Sequence, residues 1–312
     1  MPLGRLLPLA PEQQAGNTRR RVSRVARTGG AEDAETERAA LEHALSELDT
    51  RLASSTERGP DAHRWFEPLV EELRTPTAAF LRPELEQRLA RYVAADDSFA
   101  RDQIAHVLAG ACGAAALPAL MRARMSDRNE DGDALEVVVL ELFHAWPEES
   151  LRLTLDFASS CDPRARIVGL WGLCVTALDA TPYVGTVTSA ASDPDLRVRA
   201  YAMGTLSTIF GAGYPPATLA VLADGTRDPA SEVRRAAVRA LGWNRNGTVI
   251  DLLVARAEDT DRSVRFEAVF ALAHQSDPAA RAALERLTTD EDANVRDSAR
   301  RALAPPTGWP SP

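Results

Sequence analysis

The sequence predicts an all-α solenoid of stacked helix-turn-helix units, and three observations carry that expectation. First, a block ending in leucine recurs down the chain, with anchors Leu108, Leu142, Leu173, Leu206, Leu241, Leu272 and Leu303 set 31 to 35 residues apart. Second, apolar residues fall eight, four, one and zero positions before the anchor, as in Val198, Ala202, Thr205 and Leu206, which is the spacing of one helical face. Third, aromatics are 5% of the chain and alanine is its commonest apolar residue, a composition that suits closely packed helices better than a thick sheet core. At 312 residues the chain exceeds one ordinary core, and an elongated array accommodates that length.

Each unit repeats the same chemistry. The block DPASEVRRAAVRAL, residues 228–241, has counterparts ending at Leu206, Leu272 and Leu303, with weaker copies ending at Leu108, Leu142 and Leu173. Asp193, Asp228, Asp259 and Asp290 stand thirteen residues before their anchors, where aspartate suits a turn or a helix start. Pro194 and Pro229 follow and preset a first helical turn. Between anchors lie second apolar segments of short-helix length, beginning near Leu117, Glu149, Ala217, Thr248 and Ala279. The predicted unit is therefore helix, tight turn, helix, each pair burying its faces against its neighbours.

The shared pattern D-P-x-x-x-V-R-x-x-A-x-x-A-L resembles HEAT repeats, especially the short, alanine-rich type of phycobilin-lyase-like proteins, clearly over 190–303 and more faintly back to 96. The resemblance implies a right-handed α/α superhelix of about six to seven bacterial HEAT-like repeats. It also implies that the V-R helix is the inner one, lining a concave surface, and that the segment before the aspartate is the outer one.

Two sets of side chains stand out on the inner helices. Arg101, Arg166, Arg199, Arg234, Arg265 and Arg296 share one register, which Leu135 interrupts. A residue that recurs at every period serves the scaffold, so these arginines are expected to form an inter-repeat ladder. Their expected partners are Asp195, Asp261 and Asp292 or neighbouring residues. Positions six and two before the anchor instead vary from unit to unit, as a recognition surface requires. They supply Trp171, Arg235, Arg239, Phe266, Phe270 and Arg301, with Trp243 close by, and these seven are the candidate partner-binding residues.

The sequence divides into a basic N-terminal arm expected to be disordered (1–35), a helical cap (36–95), the repeat array (96–304) and a loose tail (305–312). The arm holds six arginines against Glu12 within residues 1–30; it reads first as a solvated tail or a stretch from a wrongly chosen start codon, and second as an arm for nucleic acid, an acidic membrane or an acidic partner. The cap is read as one helix from Glu35 to Ser54 and two more within 62–95, with Trp65, Phe66, Leu69, Val70 and Leu73 on one apolar face.

Composition narrows the function. A net charge of −9 is unlike the basic surface of a nucleic-acid binder. All 36 basic residues are arginine, which removes lysine Schiff-base and phosphate-loop chemistry. Cys112, Cys161 and Cys174 fit neither a disulfide framework nor a zinc site. None of the five histidines is followed by glutamate, whereas HEAT-repeat hydroxylases use His-Glu pairs as iron ligands. No uninterrupted apolar run approaches a membrane span, and the N-terminus lacks a secretory pattern, so a cytoplasmic protein is expected. The expectation is a non-enzymatic adaptor that binds another protein in its concave groove, with no metal and no cofactor. Toxin neutralisation is an alternative within that class. An enzyme related to bilin lyases or alkylpurine DNA glycosylases is the alternative outside it.

Overall fold

The computed structural model describes residues 31–54, 63–126, 134–176, 181–211, 213–244 and 247–304, so the arm over residues 1–30 and the tail over 305–312 lie outside the described residues. Every regular element among them is helical, and the described residues form two compact units, divided between Gly113 and Ala114.

The first unit contains α1 (Ala31–Ala53), α2 (His63–Leu73), α3 (Arg82–Ala94) and α4 (Ser98–Cys112). Helix α1 begins four residues before the Glu35 start read from the sequence. It buries Leu41, Leu45, Leu48 and Leu52, a stripe at three- and four-residue spacing. On α2, Phe66, Leu69, Val70 and Leu73 are buried, and Phe66 meets the ring of Phe99 edge-on at 5.4 Å. Helix α1 is tied to α3 by Asp49, which accepts from the Tyr92 hydroxyl at 2.6 Å and from Arg91. Helix α4, read as the first inner helix, packs against α2 and α3.

The second unit carries the regular pairs. Its elements are α5 (Leu117–Arg124), α6 (Ala134–Ala145), α7 (Pro147–Ala158), α8 (Pro163–Thr176), α9 (Val184–Ala190) and α10 (Leu196–Phe210). They continue with α11 (Pro216–Gly225), α12 (Ser231–Gly242), α13 (Ile250–Arg256), α14 (Arg262–Ala273), α15 (Pro278–Leu287) and α16 (Ala293–Leu303). The V-R helices α8, α10, α12, α14 and α16 pack directly on one another in sequence, and each outer helix leans on the V-R helix that follows it. The stripe set by the anchor register is the core: Val198, Ala202, Thr205 and Leu206, then Val233, Ala237, Ala240 and Leu241, are all buried. This unit is thus an α-solenoid, each pair closing its apolar face against the next.

Glycine sets how closely the helices approach. A Cβ on Gly169 of α8 would stand 2.2 Å from the Ala158 backbone nitrogen of α7. One on Gly242 at the end of α12 would stand 2.8 Å from the Ala271 Cβ of α14. Both are nearer than carbon atoms approach without displacement.

One helical stretch, Ser98–Arg124, is long and apolar enough by composition to cross a membrane, although the sequence shows no single uninterrupted run; 56% of its most apolar window is buried within the protein. Gly113, at φ 54°, breaks it, and a short 3-10 turn over Gly113–Ala116 leads from α4 into α5.

Candidate functional site

The turn that starts each V-R helix explains why its arginine recurs. Asp193 accepts from the Asp195 backbone N–H at 2.8 Å, and Asp228, Asp259 and Asp290 close their turns the same way onto residues 230, 261 and 292. The carboxylate so held faces the preceding repeat. Arg166 donates Nε and Nη2 to Asp193, both at 2.7 Å, and Arg199 donates to Asp228 at 2.8 and 3.0 Å. Arg234 reaches Asp259 at 2.9 and 2.7 Å, and Arg265 reaches Asp290 at 2.8 and 3.0 Å. In each case Nη1 turns back to a carbonyl of the arginine's own turn, such as Asp228 O at 3.0 Å for Arg234. These are two-pronged, charge-assisted hydrogen bonds between adjacent repeats.

The partners are neighbours of the three aspartates named from the sequence, two residues earlier in the same turns. The ladder's acceptors are the first aspartates of the turns, whereas Asp195, Asp261 and Asp292 cap their own helices by accepting from the N–H two residues on, Asp292 accepting also from Arg262, outside the ladder, at 3.3 Å. Arg296, in the last repeat, bonds the Asp290 and Glu291 carbonyls, at 2.6 and 2.8 Å. Arg101 lies in the first unit and donates to Asp102 on its own helix at 2.8 Å. At the other interruption, Leu135 is buried and Ser160 occupies the aspartate position thirteen residues before Leu173, where its hydroxyl accepts from Asp162 N–H at 3.2 Å. Arginine and aspartate are lost together.

The charges reflect these bonds. Hydrogen bonds to Asp193, Asp228, Asp259 and Asp290 raise Arg166, Arg199, Arg234 and Arg265 above the ordinary guanidinium value. Burial by itself would raise the carboxyls of Asp228, Asp259 and Asp290. The arginine hydrogen bonds, the turn N–H donors and the nearby positive charge outweigh burial and hold all three below the usual carboxylate range.

The variable register forms a different surface on the V-R helices. A cleft of about 390 Å³ is lined by Arg235 and Arg239 of α12, Phe266 and Glu267 of α14, and Asn294 and Arg301 of α16, among others. A second, of about 430 Å³, is lined by Tyr201 and Gly204 of α10, by Ala236 and Arg239 of α12, and by Trp243 just after it. Arg239 borders both, held by Glu267 through bonds of 3.1 and 2.7 Å that raise its guanidinium. Phe266 and Phe270 meet edge-on at 4.9 Å, and Trp243 lies 5.9 Å from the His274 ring. Trp243 is 59% exposed, Phe270 46% and Tyr201 37%. A larger hollow of about 580 Å³ lies beside the ladder at Arg265 and Asp290, but those two charges already satisfy each other.

Trp171 is not at this surface. It is 7% exposed, packed against Phe143 of α6 at 5.7 Å and covered by the Arg124 guanidinium 4.0 Å above its ring. Arg124 is itself held by Glu136 at 2.6 Å, so α5 and α6 close over a register that is open farther along. Tyr201, Arg262, Glu267 and Asn294 line the clefts without having been singled out in the sequence. Tyr201 lies one position from the variable register, the only signal that pointed to it.

Among the described residues no group of three or more His, Cys, Asp or Glu comes together to hold a metal ion. His144 and His274 each bond a carbonyl of their own helix, at 2.7 Å. Burial pushes the Cys112 and Cys174 thiols up.

A family model described as HEAT repeats matches residues 151–242 and 219–304. No curated protein matches the chain by sequence. YibA of Escherichia coli is similar in structure, with a TM-score of 0.48 and 20% identity, over 59% of this chain and 68% of that one. A designed armadillo repeat protein in complex with the peptide (KR)4 is similar at a TM-score of 0.40 and 16% identity, over 60% and 98%. Human deoxyhypusine hydroxylase is similar at a TM-score of 0.34 and 19% identity, over 85% and 96%.

Proposed function

The chain belongs to the HEAT-repeat family, and on that premise we propose that it acts as a protein-binding scaffold, taking a partner along the V-R face from α10 to α16. One observation carries this reading: large side chains the repeat does not need stand exposed, Tyr201 and Trp243 lining one cleft and Phe270 against the Phe266 ring that lines the other. Aromatic and arginine side chains at the centre of a surface supply most of the binding energy of protein interfaces. The ladder arginines Arg166, Arg199, Arg234 and Arg265, by contrast, have all three guanidinium nitrogens engaged within the protein. The scaffold works by presenting this surface, with no chemical step of its own.

A photo-crosslinking amino acid placed at position 243 or 270, and for comparison at exposed Arg281 on outer helix α15, tests this reading in the native host. The expected outcome is one partner captured from 243 and 270 and not from 281. Equal capture from 281, or capture from 281 alone, would refute it.

A further inference from the structure

Resting on the scaffold reading, we infer that the cleft between α12 and α16 is a docking site for an acidic, extended segment of a partner protein, with an apolar side chain at its centre. The chemistry of the lining is the reason. Four arginines converge there, Arg235, Arg239, Arg262 and Arg301, against two carboxylates, Glu267 and Asp292. Each carboxylate already has an arginine: Glu267 holds Arg239, and Asp292 holds Arg262 at 3.3 Å. Two positive charges remain. Arg235 is exposed and has no ion pair among the described residues. Arg301 is exposed and bonds only the Asp297 carbonyl and the Ser298 hydroxyl of its own helix, at 3.2 and 3.1 Å. In a chain of net charge −9 this is a local excess of positive charge.

The order of residues across the cleft defines the ligand. Arg235 stands on α12, Phe266 on α14 and Arg301 on α16, so an apolar ring lies between the two uncommitted guanidiniums. Packed helices lie about 9 Å apart, placing α12 and α16 about 18 Å from each other. An extended chain covers that distance in about five or six residues. The matching segment carries carboxylates near both ends, for bidentate pairing with arginine, and an aromatic or aliphatic side chain between them to sit against Phe266 and Phe270. A single-stranded nucleic acid also offers anions and rings, but its charge at every nucleotide would bring phosphates against Glu267 and Asp292 as well as against the arginines.

The test is fluorescence anisotropy with the full chain and three fluorescein-labelled peptides, EEAFAEE, EEAAAEE and RRAFARR, together with labelled oligouridylate. EEAFAEE is expected to bind tightest, to weaken tenfold or more in the Arg235→Glu/Arg301→Glu double variant, and to weaken on raising salt. EEAAAEE is expected to bind less tightly, and RRAFARR not at all. The milder Arg235→Gln/Arg301→Gln variant, with wild-type melting, is expected to weaken EEAFAEE as well, which separates loss of charge from loss of fold. Tighter binding of RRAFARR or of oligouridylate, or unchanged affinity in the charge-reversal variant, would overturn the inference. Failure of EEAFAEE to bind, while residue 243 still crosslinks a partner, would overturn it and leave the scaffold reading standing.

Discussion

The guanidinium of Arg234 uses all three of its nitrogens inside the protein: Nε and Nη2 on Asp259, Nη1 on the Asp228 and Pro229 carbonyls. Its side chain is 13% exposed and that of Asp259 3%, so truncating the arginine leaves a nearly buried carboxylate with only Arg256 Nη1 at 3.3 Å and its turn N–H at 3.0 Å. Arg234→Ala is expected to cost about 2 to 3 kcal/mol, read as a fall in melting temperature of roughly 5 to 10 °C; an unchanged melt would remove the ladder from the account of stability. The same carboxylates set the acid limit. Because folding depresses Asp228, Asp259 and Asp290, their contribution is complete above the unfolded carboxyl value of about 4 and is lost as pH falls through the folded values. Melting temperature is therefore expected to hold from neutrality to about pH 5 and to drop below about pH 4, with a shallower drop in Asp259→Asn. An equal drop in that variant would assign the acid loss elsewhere. The arginines of this ladder are legible because nearly every copy carries one. Their acceptors are harder to read, since only the turn geometry decides which aspartate of each pair reaches across and which caps its own helix.

At the scale of helices, the anchor register gives the stripe that is buried and the small residues that let helices close. Gly242 and Gly204 make opposite demands. A methyl group on Gly242 meets Ala271 of the next V-R helix, whereas one on Gly204 meets nothing within 4 Å. Gly242→Ala is expected to destabilise by about 1 to 3 kcal/mol, and Gly204→Ala to stabilise by about 0.5 to 1 kcal/mol through helix propensity. Thermal melts of the two variants check both signs, and a shift of the same sign in each would mean that helix spacing does not control them. Where arginine and aspartate are lost together, at Leu135 and Ser160, Leu135 is buried and the Phe143 ring of α6 meets Trp171 of α8 instead. The helix positions were readable from periodicity and turn residues. The burial of Trp171 was not, because Arg124 and Phe143, which cover it, come from other repeats and leave no mark on its own register.

In the second unit as a whole, one surface is built from what repeats and another from what varies. Arg234 and Arg235 are adjacent in sequence and alike in charge, yet the first faces the neighbouring turn and the second the cleft. The variable register located Arg235, Arg239, Phe266 and Arg301 in one cleft, since each V-R helix presents the same face. It missed Arg262 and Asn294, which enter from the first turns of their helices and follow no fixed offset from the varying positions. The division between the two surfaces is tested most directly by partner crosslinking from position 243 in Arg234→Ala and in Phe270→Ala, each held well below its own melting temperature. Arg234→Ala is expected to keep the crosslink and Phe270→Ala to lose most of it. Loss in Arg234→Ala with retention in Phe270→Ala would contradict it.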